Sequence, residues 1–258
     1  MRKLLQRMKE EQFMFEELVK RDFKHKYKGT SLGMLWSILS PLMTLLIMRL
    51  IFTNFFGQNV EHYTTYLFAG TLLFSYFKEQ TSGGMQALVT NAEIFSRLDV
   101  PKYLFLFSKC VSAAINFGLT LIVFFLFVAI DGVPFHWSMV AIIYPIVMLT
   151  AFNVGVGMIL SALYLFFKDI GYLYDLFTLL LMYMSAIFFV VEDYPLRVQR
   201  VFLLNPIYVA IKYVRTIVLD GIIPSFALHG LLLLYAAAAV TIGIVVYKRN
   251  NQKFLYYV

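Results

Sequence analysis

The sequence predicts an all-α integral membrane protein, with six transmembrane helices, an N-terminal cytoplasmic amphipathic helix and re-entrant helices between spans 5 and 6. Three observations carry that prediction. Apolar residues make up 60% of the chain and charged residues 14%, with a mean hydropathy of +0.75, whereas a soluble domain is about a quarter charged. Six segments approach the roughly 20 apolar residues that a helix needs to cross hydrocarbon. Basic residues are also distributed unevenly along the chain, which sets orientation.

The segment over 1–31 precedes a transmembrane domain over 32–258. In it Phe15, Val19, Phe23 and Tyr27 recur every four residues with Leu18 alongside, while Glu16, Glu17, Lys20, Arg21 and Lys24 fall elsewhere on the wheel. That pattern suits a helix lying in the headgroup layer. Lys24, Lys26 and Lys28 then meet anionic lipid, each worth about 1 kcal/mol near such a surface. A positive-inside anchor with no further role is the plainer reading of the same residues. Gly29 and Gly33 permit a sharp turn into the membrane, and Trp36 suits the interface.

The spans are Met34–Phe56, Tyr63–Met85, Tyr103–Ile130, Trp137–Phe167, Tyr172–Val191 and Phe226–Tyr247. Pro41 frees a backbone carbonyl in the first and allows a bend. Arg49, in the outer half of that span, has three open roles: contact with cargo, pairing with an acid on a neighbouring helix, or snorkelling outward. Lys78 and Glu79 interrupt the second span, making it the weakest, and with Arg49 they are pathway candidates, since ionisable groups within spans usually face a bundle interior or an aqueous path. Ala151, Gly155, Gly157 and Ser161 in the fourth offer small-residue spacing for close helix packing. Tyr66, Phe74, Tyr76, Phe77, Tyr183 and Phe188 are pathway candidates within an aromatic load that is mostly core and lipid-facing belt.

Seventeen of the 22 basic residues fall in the N-terminal segment, the link over 78–109, Lys168 and the tail after Tyr247, whereas 57–62 and 131–136 contain none. With an even number of spans both termini lie in the cytoplasm. The same placement accounts for the net charge of +7, so no nucleic-acid partner is implied.

Two connections are more than linkers. In NAEIFSRLD, Asn91 is placed to cap a short helix with Ile94, Phe95 and Leu98 on one face, and Pro101 bars its continuation. A simple surface loop is the alternative. Between spans 5 and 6, 192–225 has the composition of paired half-helices broken at Asn205-Pro206, and it carries Arg197, Arg200, Lys212 and Arg215. Re-entrant backbone is tolerated only when packed in protein or lining an aqueous cavity, so this region lines an exit or else forms a peripheral hairpin. The chain has no P-loop, no metal-ligand cluster and no nucleophile motif. Its single cysteine, Cys110, excludes an intrachain disulfide.

KYKGTSLGMLWSILSPL at the first span, NAEIFSRLDVPKYLF, LYLFFKDIGYL, LNPIYVAIKYVR and the tail KFLYYV occur in order. Together these segments resemble the transmembrane permease subunits of ABC exporters for O-antigen, capsule and teichoic acid, over essentially the whole chain. The resemblance implies a homodimer in the bacterial plasma membrane with two ATPase subunits, which bind the ATP and magnesium. The cargo would be a polysaccharide on undecaprenyl diphosphate or a similar lipid. Asn91, Glu93, Phe95, Arg97 and Asp99 would couple to the ATPase. The N-terminal helix with Lys24, Lys26, Lys28 and Trp36 would border the entrance. Arg197, Arg200, Tyr208, Lys212 and Arg215 would gate the outer mouth. The charged pair Lys78-Glu79 departs from the uncharged stretch that the family pattern carries. A small-molecule exporter permease, an ion-driven transporter and a membrane scaffold are the competing readings.

Overall fold

A computed structural model of the chain describes residues 2–56, 61–97 and 100–257, and these are helical with no strand among them. Helix α1 (Arg2–Tyr27) is amphipathic and packs on α5. The chain then turns through Gly29 and Gly33, both at positive φ (83° and 51°). A Cβ at either glycine would meet nothing, so the requirement there is purely dihedral. Helix α2 (Trp36–Phe56) contains Pro41. Helix α3 (Tyr63–Thr90) runs without interruption through Lys78 and Glu79, beyond the expected end at Met85.

After α4 (Ala92–Arg97) come α5 (Tyr103–Ile130), a 3-10 turn leading into α6 (Ile143–Phe166), and α7 (Ile170–Met184). The short α8 (Leu196–Phe202) and α9 (Pro206–Leu219) meet at an angle of 108°, the break falling at Asn205-Pro206. Helix α10 (Phe226–Asn250) and a final 3-10 turn close the chain. Among the described residues, Tyr103–Ile130, Trp137–Phe166 and Phe226–Asn250 are long and apolar enough to cross a bilayer, and the bent α8–α9 pair would make a fourth if it counts as one span. Helix α2 and α7 offer shorter apolar stretches, Trp36–Phe52 and Ile170–Met184.

Helix α3 sits at the centre, against α5, α6, α9 and α2. Most of its residues are buried, including Thr65, Gln80 and Thr81. This explains why it reads as the weakest span: a helix enclosed by protein needs partners for polar groups rather than a lipid-compatible surface. Gln80 accepts from Asn153 of α6 (2.9 Å) and donates to the Cys110 carbonyl of α5 (3.2 Å).

Small residues set the other contacts. A Cβ on Gly155 would lie 2.3 Å from the Ala239 backbone, and one on Gly243 would lie 2.6 Å from the Gly155 carbonyl, so α6 and α10 touch backbone to backbone. Gly84 of α3 meets Gly157 of α6 in the same way. Helix α7 is held differently. Only Tyr174 and Thr178 are buried on it, and the Tyr174 hydroxyl shares a hydrogen bond with Thr81 (2.7 Å).

The expected fifth span over Tyr172–Val191 stays helical only to Met184. Ala186 then adopts φ 49°, a left-handed geometry that a non-glycine residue rarely takes, and 185–195 is irregular. The break is a tertiary effect, because side chains from α3 and α9 occupy the carbonyls that a continuing helix would use.

Candidate functional site

Three polar sites lie in order along α3. At its end, Asn91 is buried beneath α1. Its backbone carbonyl accepts from Ile94 and Phe95 and so starts α4. Its side chain does not cap that helix. It donates to the Ala87 carbonyl (2.8 Å) and accepts from Arg21 of α1 (2.7 Å). Arg21 also binds Asp22, which takes Lys109 (3.0 Å) and Ser108 (3.0 Å) of α5, with only 3% of its side chain exposed. Helices α1, α3 and α5 are thus tied by one polar knot at the root of α4.

Beside the knot an apolar cluster gathers Leu18, Phe95, Phe105, Tyr247 and Phe254. Lys102 donates to the Asn251 carbonyl (2.7 Å) there and sits over the Phe95 and Phe254 rings. Both ends of the chain therefore meet around α4. Of the coupling candidates, Asn91 and Phe95 are buried in this junction, Glu93 and Arg97 are exposed on α4, and Asp99 lies outside the described residues.

In the middle of α3 a cleft of about 480 Å³ opens between α2, α3 and α5. Ser37, Ser40, Pro41 and Thr44 face it from α2, Thr71, Ser75, Tyr76 and Glu79 from α3, and Asn116 and Thr120 from α5. Glu79 is paired with Lys26 of α1 (2.6 Å) and accepts from Asn116 through both oxygens (3.3 and 3.0 Å). The charge that looked anomalous in the sequence is thus held by two neighbouring helices. Lys26 and Trp36 lie at the mouth, whereas Lys24 and Lys28 are exposed beyond it. Tyr76 stacks on Phe117 at 4.1 Å and shares a hydrogen bond with Thr150.

At the start of α3 a second cavity, about 800 Å³, is lined by Glu61, His62, Tyr66, Glu192, Asp193, Tyr208, Lys212, Arg215 and Asp220, among others. Its wall is the irregular stretch after α7, whose carbonyls are held by side chains. Buried Arg215 donates to Ala186 (2.8 Å), Ile187 (2.9 Å) and Tyr66 (3.1 Å), with its guanidinium 3.3 Å from the Tyr66 ring centre. Tyr63 donates to the Phe188 carbonyl and Tyr66 to that of Phe189. Asn205 donates to that of Met184 while its Oδ1 caps α9 at Ile207. Non-helical backbone at membrane depth is tolerated under such satisfaction. Lys212 pairs with Glu192 (2.7 Å). Burial, then the charge of Glu192, raises the pKa of Asp220.

The remaining pathway and gate candidates scatter. Phe74 and Phe77 pack in the core, and Phe188 is buried and stacked on Phe52 (4.5 Å). Arg49, Lys78 and Tyr183 are exposed and line neither cavity, as are Arg197 and Arg200 on α8. Sequence reasoning missed Asp22, Ser108 and Lys109, and also Thr44, Thr71, Asn116 and Thr120 of the cleft. A signal was present: polar residues recur four apart at Ser40/Thr44, Thr71/Ser75/Glu79 and Asn116/Thr120 inside apolar helices, and Asp22 follows Leu18 by four on the buried face of α1.

Residues 14–219 match the profile of a family described as ABC-2 type transporter. The chain is 24% identical over 247 residues to the O-antigen export system permease protein RfbA of Klebsiella pneumoniae, spanning 94% of this chain and 95% of that one. It is 28% identical over 158 residues to the RfbA of Myxococcus xanthus, 60% of each chain. The polysialic acid transport protein KpsM of Escherichia coli is 21% identical over 243 residues, 93% of this chain and 94% of the relative.

Proposed function

Since this chain belongs to the ABC-2 type transporter family, we propose that it is the permease subunit of an ATP-driven exporter moving a lipid-linked polysaccharide of O-antigen, capsule or teichoic-acid type out across the bacterial plasma membrane. The observation that carries the proposal is similarity along nearly the whole length to permeases named for O-antigen and polysialic acid transport. That similarity disfavours a small-molecule exporter, and family membership disfavours an ion-driven carrier or a scaffold.

In this reading α2, α3, α5, α6, α7 with the irregular stretch behind it, and α10 are the six crossings, and both termini are cytoplasmic. The meeting of Leu18, Phe95 and Phe254 in one apolar cluster supports an even number of crossings, because both ends of the chain are then on one face. The bend of 108° between α8 and α9 supports a re-entrant pair that closes the outer mouth around the larger cavity. Two copies of the chain work with two ATPase subunits, which bind ATP and magnesium and push on α4. The knot through Arg21, Asp22, Asn91 and Lys109 gives that push a path to α1 at the entrance.

Deletion of the gene tests the proposal. Lipid-linked polymer should accumulate inside the cell and surface glycan should disappear, with rescue by the intact gene. Unaltered surface glycan in a strain without a second copy refutes it.

A further inference from the structure

The cleft between α2, α3 and α5 has the size of a small-ligand site, and three threonines of its polar lining have a definite hydrogen-bonding sense. A hydroxyl has one hydrogen to give and two lone pairs. Thr44 spends its hydrogen on the Ser40 carbonyl (2.9 Å), Thr71 on those of Leu67 and Phe68 (3.0 and 3.1 Å), and Thr120 on that of Asn116 (3.1 Å). These three oxygens have only lone pairs left to offer. The Glu79 carboxylate is a further acceptor, and Lys26 and the Asn116 amide both direct hydrogens at it. Ser40 and Ser75 also line the cleft, and their hydroxyls can give a hydrogen as well as take one, so the cleft suits a ligand that donates to several oxygens and also accepts.

Phosphate and diphosphate, fully ionised, only accept, so they would leave the three threonine oxygens without a donor and would lie against the Glu79 carboxylate. A sugar ring donates through several hydroxyls. The walls suit its other character: Tyr76 stacked on Phe117, with Phe68 and Leu72 beside them and Trp36 at the mouth, give the C–H faces of a pyranose an apolar and aromatic surface.

We propose that this cleft holds an uncharged sugar ring, with Thr44, Thr71, Thr120 and Glu79 as acceptors and Tyr76 and Phe117 as the wall. The assignment deepens the export reading and rests on it for the origin of the sugar, a unit of the polymer near its lipid-linked end. It also gives the departure at Glu79 a role: the carboxylate selects the hydroxyl-bearing part of the substrate over the phosphate-bearing part, and its Lys26 partner brings α1 to the edge of the site.

The test uses the full-length chain in lipid nanodiscs and two photoprobes of equal alkyl length, a diazirine-bearing octyl glucoside and a diazirine-bearing octyl phosphate. The glucoside should label the peptides of α2, α3 and α5 that line the cleft, and excess dodecyl maltoside should compete. Octyl phosphate should label them at least about tenfold less, the discrimination expected from losing two hydrogen bonds. Thr71→Val with Thr120→Val, which keeps the volume and removes the two acceptors, should cut glucoside labelling by a similar factor. Thr44→Val alone should cut it severalfold, and serves if the double variant does not fold. Equal labelling by both probes would make the cleft a groove for acyl chains, and stronger labelling by the phosphate would make it a headgroup site. Either result overturns the assignment, as does an unlabelled cleft. These outcomes are separate from the deletion experiment: a strain that loses surface glycan while the cleft stays unlabelled sinks the sugar site and leaves the export role standing.

Discussion

Arg215 puts a full charge at a position only 7% exposed, with no carboxylate in salt-bridge contact among the described residues. What holds it is geometry: the planar guanidinium forks onto the Ala186 and Ile187 carbonyls and lies over the Tyr66 ring. Both carbonyls belong to the unwound stretch after α7 and have no helical donor, whereas that of Tyr66 lies within α3. Hydrogen bonds to a charged group are worth about 1.5–3 kcal/mol each, and a buried orphaned acceptor costs a similar amount. Arg215→Met should therefore destabilise the chain by about 4 kcal/mol, read as a fall in the unfolding temperature of the detergent-purified protein. Arg215→Lys should restore only part of this, since an ammonium lacks the fork. A variant as stable as the parent would show that the carbonyls find other partners.

Among the elements, α6 and α10 make the closest pair; the Tyr144 hydroxyl donates to the His229 carbonyl (2.8 Å) at one end of their seam, and the glycine crossing itself is a backbone contact. Gly155, Ala239 and Gly243 let the two backbones meet, so attraction comes from close packing over a long seam. Gly155→Val would place a branched side chain where the Ala239 carbonyl already lies. Overpacking of this kind costs about 1–3 kcal/mol, and here neither backbone has room to yield. We expect the upper end of that range, read by thermal unfolding, together with reduced export. Gly118, whose Cβ would meet nothing within 4 Å, is the matched control, and Gly118→Ala should leave both readouts unchanged. Helix α7 is the opposite case. Leu173, Leu176, Phe177 and Leu180 stay exposed along it, and Tyr174 is its main anchor.

At the scale of the whole molecule, the polar sites form a series along one central helix, from the cavity at Tyr66 through the cleft at Glu79 to the knot at Asn91. The exporter proposed above needs contact with its ATPase, an entrance and an exit arranged along the membrane normal, and this order is consistent with that proposal. The arrangement depends on both chain ends sharing one face. Cysteine substituted at Lys9 and at Lys253, in a Cys110→Ala background, should react with a membrane-impermeant maleimide only after the cells are opened. Reaction of just one of the two in intact cells would break the six-span reading.

The residues alone determined the helical membrane class, the glycine turn ahead of α2 and the break at Asn205-Pro206. Composition, positive-φ glycines and proline act through the local chain, so one sequence is enough to read them. The bounds of α5 and the end of α6 followed to within a residue from apolar run length, whereas α6 begins at Ile143 after a 3-10 turn over the residues where the apolar run starts. The tertiary structure alone decided where α7 stops and what became of the polar residues inside the spans. Lys26 and Glu79 are 53 residues apart, Glu79 and Asn116 are 37, and Asp22 and Lys109 are 87. An ionisable residue in an apolar segment announces only that its charge must be met, by a partner as at Glu79 or by exposure as at Arg49 and Lys78. The identity of a partner is set when helices pack, because the cost of an unpaired charge in a low-dielectric interior is settled between elements and leaves no local trace.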